Sequence, residues 1–205
     1  MIKRYFGAFS SSLVFVLALA AASFAQSTVT PTAPSDFPGI KIKNFGRMDA
    51  HFYRGERPSK KDFASLKALG IDTIIDLTDN TPDEKGYAEA AGLKYINIAI
   101  PDKSYPTDDA VAKFLSTVND PATGVFYVHC AGGRHRTGDM GAVYRLNHDG
   151  WNYDQVYAEM LNYDFYTSNG HQKALDFVVD YSAKITAQRA AGAAAATAAT
   201  GTAHN

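Results

Sequence analysis

A single cysteine occurs in 205 residues, and its neighbours are the types that phosphate chemistry needs. The run is Val128-His129-Cys130-Ala131-Gly132-Gly133-Arg134-His135-Arg136-Thr137-Gly138. An apolar stretch precedes it and a helical pattern follows from Thr137. A loop that enters a helix points free backbone N–H groups at an anion, and the helix dipole adds positive potential. Gly132 and Gly133 let such a loop curl through positive φ. At its mouth Cys130 is expected as a thiolate, the nucleophilic form. Arg136, six residues on, is expected to return and face the sulfur. Its planar fork holds two phosphoryl oxygens and stabilises charge in the transition state.

Cleaving a phosphate ester also needs a proton for the leaving oxygen. Asp102, in Ile100-Pro101-Asp102, is preferred as the donor because it follows a strand pattern at the same sheet edge. Asp108 and Asp109 are rivals. They stand in the first turn after Thr107, where acids are favoured for dipole reasons alone.

The elements that must position these groups alternate. Strand patterns cover 51–54, 72–77, 93–98 and 124–129. Helical patterns begin at Ser59 (Asp62 as capping-box partner), Thr81, Thr107, Thr137, Asn152 (Gln155 as partner) and about His171. Alternation at short spacing predicts an α/β fold with a mainly parallel central sheet flanked by helices. Four parallel strands are expected, with a small antiparallel addition near 40–54. Ligands of such sheets bind beyond the carboxyl ends of the strands, which is where Cys130 falls.

Flanking segments are set apart by composition. Residues 1–25 read as a signal peptide: Lys3 and Arg4, an apolar run from Leu13 to Ala22, then Ser23-Phe24-Ala25. Residues 26–38, rich in Ser, Thr and Pro, read as a linker; 39–187 form the domain; 188–205, rich in Ala, read as a frayed tail. The expectation is export, to the periplasm or the outside, with no stable membrane insertion once the leader is cut. Removing Lys3 and Arg4 moves the formal charge from −1 to −3, which speaks against nucleic acid as a partner. One cysteine forms no internal disulfide, so the fold must rest on its core.

His-Cys, five residues, Arg and then Thr, with Gly133 third after the cysteine, resembles the phosphate loop of the cysteine-dependent protein tyrosine and dual-specificity phosphatases. The likeness is closest to the small atypical dual-specificity enzymes, whose domains begin with a stretch similar to Tyr53-Arg54-Gly55-Glu56-Arg57-Pro58-Ser59. The resemblance implies a two-step reaction. Cys130 forms a thiophosphate, Asp102 acts as acid and then base, Thr137 assists departure of the thiolate, and His129 helps set its pKa. Backbone groups from Ala131 through Gly132, Gly133, Arg134 and His135 to Arg136 would cradle the oxygens. No metal or other cofactor is implied. The substrate is a phosphorylated protein or a small polyanionic phosphate. Ile100-Pro101 stands where the family usually has Trp-Pro, and 28 residues separate Asp102 from Cys130, fewer than usual.

Arg134 and His135 either favour polyanions such as inositol phosphates or face solvent. Asp76 is read as orienting a loop by hydrogen bonds. Arg54 and Arg57 are read as ordinary ion pairs or as substrate contacts. His51, His148 and His171 are too scattered for a metal site. Two other functions share the loop pattern: a binding module that captures phosphate without turnover, and a sulfurtransferase or arsenate reductase. The last lacks the further cysteines it would need.

Overall fold

The computed structural model describes residues 31–35 and 37–201, and the leader read at 1–25 lies outside them. A five-stranded sheet is built from β1 (Gly46–Arg47), β2 (Phe52–Glu56), β3 (Thr73–Asp76), β4 (Lys94–Asn97) and β5 (Phe126–Cys130). Its order is β1-β2-β5-β3-β4. β2, β5, β3 and β4 are parallel, and β1 is added antiparallel at the edge beside β2. The α/β expectation with four parallel strands is met. β5 is central because it is apolar on both faces, as a strand buried between helix layers must be. Period-2 alternation sends Phe126, Val128 and Cys130 to one face and Tyr127 and His129 to the other.

The first face is covered by α3 (Asp108–Val118), α4 (His135–Tyr144), α5 (Tyr153–Asn162) and α6 (Gln172–Gly201), through Phe114, Met140, Val143, Val156 and Phe177. The second is covered by α1 (Asp62–Ala68) and α2 (Glu84–Ala90), through Phe63, Leu66 and Ala88. Caps explain the helix starts. The Thr107 hydroxyl accepts from the Ala110 N–H, and Asn152 and Gln155 form a reciprocal capping box. Ser59 does not cap α1; its N–H and hydroxyl both donate to Asp62.

Three features depart from expectation. α4 continues into a π turn, Arg145–Asp149, closed by Gly150 at φ +70°. Residues 31–35 and 37–38 carry no regular structure but are docked: Thr32 donates from its N–H and its hydroxyl to Glu159 at 3.0 and 2.7 Å. The tail, read as frayed, is helical as far as it is described, because α6 runs unbroken to Gly201. Alanine has the highest intrinsic helix propensity, so the segment needs no apolar stripe to extend a helix already begun. No helix of the described residues is long and apolar enough to cross a membrane.

Candidate active site

Cys130 ends β5 and Arg136 is the second residue of α4, so the loop between them lies at the carboxyl edge of the sheet. Cys130, Ala131, Gly132, Arg134, His135 and Arg136 line an open pocket of about 370 Å³, joined by Asp102, Tyr166 and His171. A cleft of about 400 Å³ at the opposite strand ends, lined by His51, Phe126, Tyr144 and His148, brings no thiol. The chemistry therefore belongs to the smaller pocket.

The thiol is biased toward ionisation. Burial is the largest single influence and opposes it. The Thr137 hydroxyl and N–H, the Arg136 charge and the Gly132 N–H outweigh burial and hold Cys130 below the ordinary thiol range. The buried Thr137 hydroxyl has no oxygen or nitrogen partner, which leaves it to the sulfur.

Arg136 is only 7% exposed. It donates to the Ile100 carbonyl at 3.0 Å and faces Asp102 and Asp79, each at 3.5 Å. Asp102 is thus brought to the pocket. Asp108 is not: it is exposed and meets Lys184 at 3.5 Å. Asp79 was missed from the sequence. It follows β3 in a Thr-Asp-Asn turn and carries no motif. Only the fold shows that this turn ends beside Arg136.

Other expected residues take different places. Gly133 does not line the pocket. It turns at φ +67°, and a Cβ there would stand 2.4 Å from the Gly55 carbonyl carbon. The loop is therefore seated on the end of β2, and Gly133 is needed for that close approach as well as for its conformation. His129 lies on the face of the sheet opposite the Cys130 side chain. Its Nε2 is 2.6 Å from Glu84 Oε1 and its Nδ1 3.8 Å from Asp76 Oδ1. The 2.6 Å approach is off-line for a hydrogen bond, so both buried ring nitrogens lack a directed partner. These three residues do not suit a zinc ion. Two ligands of a tetrahedral zinc stand about 3.3 Å apart, wider than this contact.

Arg134 lines the pocket and pairs with Asp164 at 3.7 Å. His135 donates from Nε2 to the Tyr166 carbonyl at 2.9 Å and stacks flat on His171, centroids 3.6 Å apart. Burial, and next the neighbouring His171, push its pKa down to about 4. Burial likewise lowers His171. At neutral pH both rings are uncharged. With Tyr166, edge-on to His135 at 4.5 Å, they make an aromatic wall where the sequence suggested added cations.

Arg54 is neither a surface ion pair nor a substrate contact. It is fully buried, donates from Nη2 to the Gly133 carbonyl at 2.9 Å, and lies 3.9 Å over the Tyr163 ring. Arg57 is an ordinary pair, 3.7 Å from Glu84.

A family model described as "DSP-PTPase phosphatase fused to NAD+ Kinase" matches residues 41–178. The chain is similar to the dual specificity protein phosphatase TpbA of Pseudomonas aeruginosa, 26% identical over 141 residues that cover 66% of this chain and 62% of that one. It is similar to the inositol diphosphatase SIW14 of Saccharomyces cerevisiae, 25% identical over 134 residues covering 62% and 47%. The chain thus spans less than two thirds of the length of these relatives. The crystal structure of P. aeruginosa TpbA superposes with a TM-score of 0.60 at 23% identity, covering 73% of this chain and 90% of that one, which shows the fold. With residues 41–178 of 205 under one model, the chain belongs to this family of dual-specificity and tyrosine-type phosphatases.

Proposed function

We propose that the chain hydrolyses phosphate monoesters through Cys130 and prefers a single phosphate on an aromatic carrier. One observation carries the reading: a thiol held below its ordinary range, the Arg136 guanidinium and a half-exposed carboxylate converge on one pocket. The Cys130 thiolate attacks phosphorus, and the P–O bond to the leaving group breaks. Asp102 gives that oxygen its proton. The resulting carboxylate then takes a proton from water as water attacks the thiophosphate. The S–P bond breaks, inorganic phosphate leaves, and the Thr137 hydroxyl steadies the returning thiolate. Arg136 binds the equatorial oxygens throughout, exchanging its loose carboxylate contacts for the phosphoryl group.

The aryl preference rests on the rim. Tyr166 and the stacked His135 and His171 offer a flat wall for a ring. Asp79, Asp102 and Asp164 offset Arg134 and Arg136 there, which disfavours a polyphosphate. The N-terminal pattern supports export as part of the same proposal; cell fractionation and N-terminal sequencing of the mature protein test it.

The deciding assay is turnover of an aryl phosphate without added metal. Wild type is expected to turn over, Cys130→Ser to be inactive, and Asp102→Asn to lose about 10²-fold in kcat. Asp79→Asn is expected to lose less than tenfold; the reverse order would make Asp79 the acid. A phosphotyrosine peptide should be favoured over an inositol polyphosphate in kcat/KM. Vanadate binding without turnover of any ester would replace the enzyme with a binding module.

A further inference from the structure

Behind the phosphate-binding loop, on the side away from the pocket, a complete positive charge is buried. Arg54 leaves the centre of β2 and is 0% exposed. Nη2 holds the Gly133 carbonyl, and the guanidinium plane covers Tyr163. Nη1 packs against Gly141 of α4, where a Cβ would stand 3.4 Å away. Nε has no partner.

A buried guanidinium ordinarily has a carboxylate. Among the described residues none lies within ion-pair distance of Arg54. Glu159, from α5, is committed to Arg145 by two hydrogen bonds of 2.8 and 3.1 Å. Asp139, from α4, is buried with Oδ1 unpartnered, and burial together with the Cys130 charge holds it well above the usual carboxylate range. Arg136 and Arg145 are cations themselves, and Tyr163 is held un-ionised by burial. Arg54 is paired in register with Val128 of β5, two residues before Cys130 and on the same face of the sheet, so the guanidinium and the thiol stand on adjacent strands.

We propose that Arg54 is a positioning residue of the active site: it fixes the Gly133 carbonyl to the rear, so that the loop's N–H groups turn forward, and its charge, one strand away on the same sheet face, favours the Cys130 thiolate. The inference rests on Cys130 being the reactive group of the proposed function. It adds a second cation to Arg136, acting on the sulfur from behind the loop without touching substrate. Removing it should cost the anion more than the fold.

Cys130 is the only cysteine, so the pH dependence of alkylation by iodoacetamide, a neutral probe, reads its ionisation with no need for turnover. The full chain is used in every arm. Arg54→Met is expected to move the alkylation midpoint upward by about one pH unit or more, as loss of a neighbouring opposite charge does. Arg54→Lys is expected to stay near the wild-type midpoint, and so is Asp139→Asn, because burial holds the Asp139 carboxyl toward its protonated form. A folded Arg54→Met with an unchanged midpoint overturns the proposal. So does an Asp139→Asn midpoint lowered by about one unit, because Asp139 would then have been ionised and paired with Arg54. If Arg54→Met fails to fold, the Asp139→Asn result decides. A wild type that alkylates as a low-pKa thiol yet hydrolyses no ester would fail the proposed function and leave this inference standing.

Discussion

The Asp76 carboxylate accepts from the Thr78 N–H at 2.8 Å, the Thr78 hydroxyl at 2.7 Å, the Tyr95 phenol at 2.7 Å and the Thr81 hydroxyl. It thereby fixes the 77–81 turn, which carries Asp79 to Arg136. Its charge is held by the His129 ring and these donors, which outweigh burial and keep its pKa below the usual range. Asp76→Asn is expected to lower stability by about 2 kcal/mol at pH 7 in urea unfolding, as lost hydrogen bonds to a buried charge do. The folded pKa lies below the unfolded one, so this contribution is complete above the unfolded value, about 3.9, and disappears as pH falls through the folded value. The gap between wild type and variant should therefore close below about pH 4. An equal gap at pH 3 and 7 would mean that the carboxylate charge is not what holds the turn. The loop-orienting reading of Asp76 came from its position at a strand end. Which loop, and the acid on it, had no sequence signal, because an exposed Asp in a polar turn is what any turn offers. His129 was legible as a neighbour of Cys130, but one residue along a strand reverses the face, and its partners Asp76 and Glu84 are distant in sequence.

Between residue and fold, the decisive joint is the seat of the loop on β2. A methyl at position 133 would stand 2.4 Å from the Gly55 carbonyl carbon and 2.6 Å from the Glu56 nitrogen, in a backbone conformation that L residues rarely adopt. Backbone atoms do not yield as side-chain ends do. The loop must lift, and Arg54 loses the Gly133 carbonyl. Gly133→Ala is expected to reduce kcat/KM on an aryl phosphate by more than tenfold while circular dichroism stays native. Gly132→Ala, whose Cβ meets nothing nearer than 3.6 Å, should lose much less. Comparable losses in both would remove the seat as the cause. At this scale the sequence was informative. Thr107 and Asn152 announced α3 and α5 because capping is a local event, read from a few adjacent residues. Where no side-chain cap forms, as in α1 and α2, the start moved inward by three residues, from Ser59 to Asp62 and from Thr81 to Glu84.

The whole molecule is closed by segments that composition set outside it. Thr32 hydrogen-bonds Glu159, the Ser35 N–H donates to the Phe45 carbonyl, and Phe37 meets Phe45 edge-on at 5.2 Å. A Ser/Thr/Pro-rich composition describes how such a stretch behaves alone; it is silent about a buried Arg145–Glu159 pair with acceptor capacity left over. At the other end, Arg189 donates to the Trp151 and Gly150 carbonyls at 2.9 and 3.3 Å and to that of Leu146, tying α6 to the π turn. From 190 to 199 every side chain is exposed. A chain ending at 187 is expected to be less stable than one ending at 190 by about 1–3 kcal/mol, because hydrogen bonds from a charged donor are removed. Arg189→Met in the full-length chain should reproduce that loss, since it deletes the donor and keeps the helix. If the two truncations had equal midpoints and Arg189→Met matched the full-length chain, the α6 anchor would lie earlier, in the apolar contacts of Val178, Tyr181 and Ile185 with the core.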